Sequence, residues 1–101
     1  MNDRLKSDHL DTFFRAVLTL QTEEECARFF DDICTIQELK AISQRLQVAG
    51  MLAEQSIYSE IVEATGASTT TISRVNRALN YGSDGYKLVF ERMGVGKEAK
   101  K

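Results

Sequence analysis

The chain has 101 residues, no proline, six glycines and 43% hydrophobic residues, which leaves room for one domain with one modest core and disfavours a large enzyme. Thirteen Lys and Arg against fifteen Asp and Glu give a formal charge of −2, and that total by itself argues against a nucleic-acid binder. Proline averages about 5% of ordinary chains, so its absence removes the strongest helix breaker and points to long helices.

In chain order, residues 3–20 place Leu5, Leu10, Phe13, Phe14, Val17, Leu18 and Leu20 at spacings of three and four, the mark of an amphipathic helix. Thr22 followed by Glu25 has the form of a capping box, in which the hydroxyl accepts from the third helical N–H and the carboxylate returns to the cap N–H. A second helix is expected from there to Ile33, burying Cys26, Ala27, Phe29, Phe30 and Ile33. Thr35 and Glu38 repeat the signature and open a third helix over 36–54, with Leu39, Ile42, Leu46, Ala49 and Met51 to Ala53 on its apolar stripe. Gly50 is the weak point of that helix; it either allows close approach of another helix or marks fraying. Short helices are expected at 57–65, ending at Gly66, at 69–80, and at 85–93, with Asp84 as N-cap and Gly94 as stop. The expected class is all-α with six helices, in a single domain over residues 1–94 followed by a basic tail, 95–101, that carries Lys97, Lys100 and Lys101.

The two short helices and the turn between them, IYSEIVEATGASTTTISRVNRAL, have the layout of a helix-turn-helix. Such a motif needs apolar residues facing inward, a turn residue that tolerates positive φ, and a polar outer face on the second helix. Ile61, Ala67, Ile72 and Val75 occupy the inward positions, Thr65 is tolerable there, and Gly66 stands at the turn. The outer face then carries Thr69, Thr70, Thr71, Ser73, Arg74 and Arg77, preceded by Ser68: hydroxyls and guanidiniums with no acid. That chemistry suits phosphate oxygens and base edges. The same pattern is also that of a helical hairpin with a solvated face, and Glu60 and Glu63 leave the motif formally neutral. Two function classes follow: a homodimeric regulator binding double-stranded DNA through residues 57–81, or a dimeric protein-interaction module on the same scaffold. Charge distribution favours the first. Residues 1–40 carry nine acids and five bases, whereas residues 41–101 carry six acids and eight bases.

The T-x-x-E-L run from Thr35, the pair Gln44 and Arg45, the Gly66-Ala67 turn and T-x-I-S-R from Thr70 to Arg74 together resemble the tryptophan repressor family, in particular its YerC/YecD-type branch. The resemblance implies a six-helix protomer in an intertwined homodimer, with residues 3–54 supplying the dimerisation helices and the helix-turn-helix units projecting as readers. It also implies a ligand pocket in which Arg45 and Arg74 would flank an indole ring and Thr35 would lie near its carboxylate. Guanidinium stacking on an aromatic plane accounts for arginine at both places. Where the family has glycine after the second arginine this chain has Val75, and where it has a serine four residues past that arginine it has Ala78. A branched side chain in a flat slot and a lost hydroxyl act against tryptophan, so a vestigial pocket without tryptophan binding is expected, and no cofactor.

The remaining candidates have plainer readings. Cys26 and Cys34 lack a CxxC or a partner cluster and read as small buried hydrophobes in a reduced, cytoplasmic protein. His9 reads as a surface residue, and clustered acids such as Glu23 to Glu25 suit a helix N-terminus. No zinc spacing, phosphate loop or nucleophile elbow is present, so neither metal nor catalysis is expected. The mixed-charge start, and the lack of any apolar run near the roughly 18 residues needed to span a bilayer, give no reason to expect secretion or membrane insertion.

Overall fold

A computed structural model describes residues 7–94. These residues form six α-helices: α1 (Asp8–Leu18), α2 (Glu23–Ile33), α3 (Ile36–Ala53), α4 (Tyr58–Thr65), α5 (Thr69–Tyr81) and α6 (Gly85–Met93). The chain divides into two compact units between Leu39 and Lys40, and each is described by itself.

In the first unit, Ser7 is extended and its hydroxyl accepts from the Leu10 N–H at 3.0 Å. That cap starts α1 at Asp8, later than the apolar pattern suggests; the expected residues 3–6 lie outside the described part. Thr22 caps α2, accepting from the Glu25 N–H at 3.0 Å. The Glu25 carboxylate does not return to the cap. It accepts from the Gln21 N–H at 2.9 Å, one residue earlier. Phe13 meets Phe29 and Phe30 at ring separations of 6.2 and 6.5 Å, and Phe29 and Phe30 meet edge to face at 5.4 Å, geometries that aromatic pairs favour. Even so, α1 and α2 bury no residue completely. The burial expected on α2 therefore needs correcting: Cys26 and Ala27 are exposed, Ile33 is 51% exposed, and Phe29 and Phe30 are half-buried. Two helices of eleven residues each offer too little surface to one another to enclose an apolar stripe on both.

The capping box that opens α3 is reciprocal. The Thr35 hydroxyl accepts from the Glu38 N–H at 3.1 Å, and the Glu38 carboxylate accepts from the Thr35 N–H at 2.8 Å. Hydrogen bonds donated to it by Thr35, the backbone one foremost and the side-chain one second, hold the Glu38 carboxyl below its usual range.

The second unit holds the core. Val48 and Ala49 of α3, Ile61 of α4, Ala67 in the turn, Ile72 and Val75 of α5 and Phe90 of α6 form one buried cluster, with Met51, Leu52 and Tyr86 packed against it. The inward positions assigned to the helix-turn-helix are thus the buried ones: Ile61 and Ile72 are fully enclosed, and Ala67 and Val75 nearly so. The stripe expected on α3 holds in part: Ala49 is wholly buried, and Met51 and Leu52 pack against the core. Ile42 and Leu46 are 49% and 40% exposed, whereas Val48, absent from that stripe, is wholly buried. A Cβ at Gly50 would sit 4.0 Å from the tip of the Phe90 ring, an ordinary contact; α3 continues three residues beyond it, so this glycine neither breaks the helix nor is demanded by sterics.

Turn chemistry sets the later boundaries. Gly66 ends α4 at φ +73°, a left-handed conformation that costs glycine nothing. Gly82 ends α5, where a Cβ would run into the Ala78 carbonyl oxygen. Asp84 stands at the N-cap of α6, but its carboxylate makes no capping bond; it lies 3.7 Å from the Lys87 ammonium. Its backbone is left-handed at φ +63°, unlike the extended caps of α1 and α2, and a cap side chain reaches the helix amides from an extended backbone.

Candidate nucleic-acid interface

Two helices joined by a three-residue turn, 66–68, present the outer face of α5. Its start is fixed by Ser68, whose hydroxyl accepts from the Thr71 N–H at 3.1 Å and donates to the Thr71 hydroxyl at 3.2 Å. Ser68 and Thr71, both candidate DNA contacts, are therefore engaged in capping, and Thr71 is half-buried. Burial of Ile72, Val75 and Leu79 at spacings of three and four turns the complementary positions outward.

Those outward positions line an open groove of about 800 Å³, formed by Thr69, Thr70, Ser73, Arg74, Asn76, Arg77 and Tyr81 of α5 with Tyr58 at the start of α4. Among the described residues, no carboxylate lines it. Both acids of α4 lie off the groove: Glu60 turns back to accept from the Ile57 N–H at 3.2 Å, and Glu63 is exposed elsewhere. The only salt bridge among the described residues is Lys87 to Asp84, so no described carboxylate neutralises Arg74 or Arg77. A donor-rich face without acids is matched to acceptors, such as phosphate oxygens and the N7 and O6 of guanine.

Five of the seven residues singled out as DNA contacts, Thr69, Thr70, Ser73, Arg74 and Arg77, meet in this groove. Sequence reasoning missed Tyr58, Asn76 and Tyr81. Tyr81, 86% exposed, continues the stripe one turn past Arg77 and was open to the same periodicity argument. Tyr58 comes from the other helix, and no local pattern points to it.

The pocket residues have a different fate. Of Thr35, Arg45, Arg74, Val75 and Ala78, only Arg74 lines the groove. Thr35 is occupied by the capping box of α3, and Arg45 and Ala78 are exposed. Val75 is 4% exposed and its isopropyl group belongs to the core cluster. Among the described residues no three His, Cys, Asp or Glu side chains are placed to hold a metal ion, and no helix is long and apolar enough to cross a membrane.

Residues 8–94, from the start of α1 through the whole reader face, match the family model of the Trp repressor protein. The chain belongs to the Trp repressor family. It is 52% identical over 91 residues to the uncharacterized protein YerC of Bacillus subtilis, covering 90% of this chain and 88% of that one, which places it in the YerC-like branch. A TrpR-like protein from Eubacterium eligens superposes with a TM-score of 0.89 at 54% identity, over 92% of this chain and 96% of the other. A candidate Trp repressor from Staphylococcus aureus gives 0.88 at 47% identity, over 92% and 93%. The six-helix, Trp-repressor-like fold expected from the motifs is the fold observed.

Proposed function

We propose that the chain is a sequence-specific, double-stranded DNA-binding transcriptional regulator of the cytoplasm that acts as a homodimer and does not respond to tryptophan. The observation that carries this reading is the groove on α5, lined by no described carboxylate, which gathers Arg74, Arg77 and the aliphatic hydroxyls of Thr69, Thr70 and Ser73 while Glu60 and Glu63 lie off it. The alternative of a protein-interaction module drew its support from the neutral total charge of the motif, and that neutrality is not local to the groove. In the proposed complex Thr69, Thr70 and Ser73 approach base edges in the major groove, and Arg74 and Arg77 engage phosphate or guanine.

The dimer is supported by what the first unit leaves uncovered. Leu18 is 81% exposed, Ile36 64% and Ile33 51%, and α1 and α2 have no buried residue. Large apolar side chains left this exposed are what an interaction surface uses. A two-fold dimer would present its readers to successive major-groove turns about 34 Å apart. Two sites compensate for the modest charge of each motif.

Selection of bound DNA from a random pool by the purified protein, followed by a salt titration on the selected duplex, tests the reading. Arg77→Ala is expected to weaken binding and, for a phosphate contact, to reduce the salt slope by about one. A protein that retains no DNA at about 50 mM salt, where counterion release favours even non-specific binding, refutes it.

A further inference from the structure

We propose that Gln44 of α3 is a positioning residue that sets where the reader helix stands, an inference that rests on the DNA-binding reading of α5. Its side-chain Nε2 donates to the backbone carbonyl of Thr65 at 3.1 Å, in a half-buried position. The bond joins residues 21 apart in sequence, whereas the capping bonds of Thr22, Thr35 and Ser68 join residues three apart. Thr65 is the last residue of α4, so its carbonyl belongs to the group that a helix leaves without an internal partner.

Around that carbonyl the turn is tied at several points. The Thr65 hydroxyl donates to the Ile61 carbonyl at 2.7 Å and accepts from the Ala67 N–H at 3.1 Å. The Gly66 N–H donates to the Val62 carbonyl at 2.9 Å. These bonds make the turn rigid within itself but do not fix it to anything else. Contacts among Val48, Ile61, Ala67 and Ile72 hold the pair against α3, yet apolar contact is non-directional and tolerates sliding. A hydrogen bond with a defined donor and acceptor adds direction. Gln44 therefore pins the turn, and with it the first residue of α5, to one place on α3. The neighbouring Arg45 is exposed, so of the two adjacent residues one faces the turn and the other solvent.

The experiment compares wild type with Gln44→Met, which keeps the size of the side chain and removes the donor, and Gln44→Lys, which restores a donor. Affinity for a selected DNA duplex is expected to fall by up to about fivefold in Gln44→Met, the equivalent of one neutral hydrogen bond, with the salt slope unchanged and the melting temperature lower only by the few degrees that one such bond supplies, and both are expected to return toward wild type in Gln44→Lys. In the free protein the Gly66 and Ala67 amides should exchange faster in Gln44→Met and return toward wild type in Gln44→Lys. Unchanged affinity in Gln44→Met, or a loss of affinity and of Gly66 and Ala67 amide protection that Gln44→Lys does not reverse, overturns the proposal. If wild type binds no DNA, the functional reading has failed and the amide exchange still decides the clamp: equal exchange in wild type and Gln44→Met overturns it.

Discussion

Replacing Val75 separates two accounts of the residue that stands where the family has glycine. In the structure its side chain is 4% exposed and packs in the cluster of Val48, Ala49, Ile61, Ala67, Ile72 and Phe90. Val75→Gly deletes three buried carbons, a loss of about 2.4 kcal/mol at roughly 0.8 kcal/mol each. Glycine in the middle of α5 adds about 0.4 kcal/mol relative to valine, for a total near 3 kcal/mol per chain before any cavity term. Val75→Ala deletes two carbons, about 1.6 kcal/mol, and regains about 0.5 kcal/mol of helix propensity, leaving about 1 kcal/mol of destabilisation. The assay is urea unfolding followed by circular dichroism, with all three proteins at one concentration because the stability of the proposed homodimer would depend on it. If Val75 instead lined an open ligand slot, Val75→Ala would be neutral or stabilising and Val75→Gly would cost only about 0.4 kcal/mol through propensity. The sign of the Val75→Ala change therefore refutes one account. Calorimetric titration of wild type with tryptophan is expected to show no micromolar binding, and such binding would show that Val75 and Ala78 do not abolish the slot.

At Gly50 the nearest neighbour of an added Cβ is the Phe90 ring at 4.0 Å, so Gly50→Ala should raise stability by up to about 1 kcal/mol in the same urea assay, and a loss would mean the helix is tighter there than this distance allows. Gly66→Ala meets no atom within 4 Å but must hold φ at +73°; a loss of about 1–2 kcal/mol, smaller in Gly66→Asn, is expected in thermal melts. Glu38 has its pKa depressed by hydrogen bonds from Thr35, so its charged form is favoured by folding. The stability it contributes is present above the ordinary glutamate range and is lost as pH falls through the folded value. The melting-temperature advantage of wild type over Glu38→Gln should accordingly shrink between about pH 6 and pH 3, and an advantage independent of pH would show that the charged carboxylate is not what caps α3.

Much of this molecule is written in short-range chemistry. Thr22, Thr35 and Ser68 cap the helices that follow them through contacts three residues long, and Gly66 and Gly94 end helices through a backbone conformation disfavoured for other residues. Periodicity on α5 separates Ile72 and Val75 from Thr69, Ser73, Arg74 and Arg77 for the same reason: helical geometry alone decides which residues share a face. The failures have two origins, one local and one not. Asp84 has a capping residue's identity but a left-handed backbone and a lysine within reach, and the α3 stripe was assigned without knowing which part of that helix meets the others.

Tertiary structure decided the rest, because it concerns residues that only packing brings together. It buried Val48, left Ile42 and Leu46 exposed on α3, and gave Tyr58 to the same groove as Arg77. It also joined Gln44 to a carbonyl 21 residues away. The net charge of −2 shows the division most clearly. Composition supplies the total, and the local pattern places acids and bases on their helices. A local capping bond turns Glu60 back, and the packing of α4 on α5 puts Tyr58 beside two arginines in a groove that no described carboxylate lines; electrostatic recognition depends on where charges stand in space.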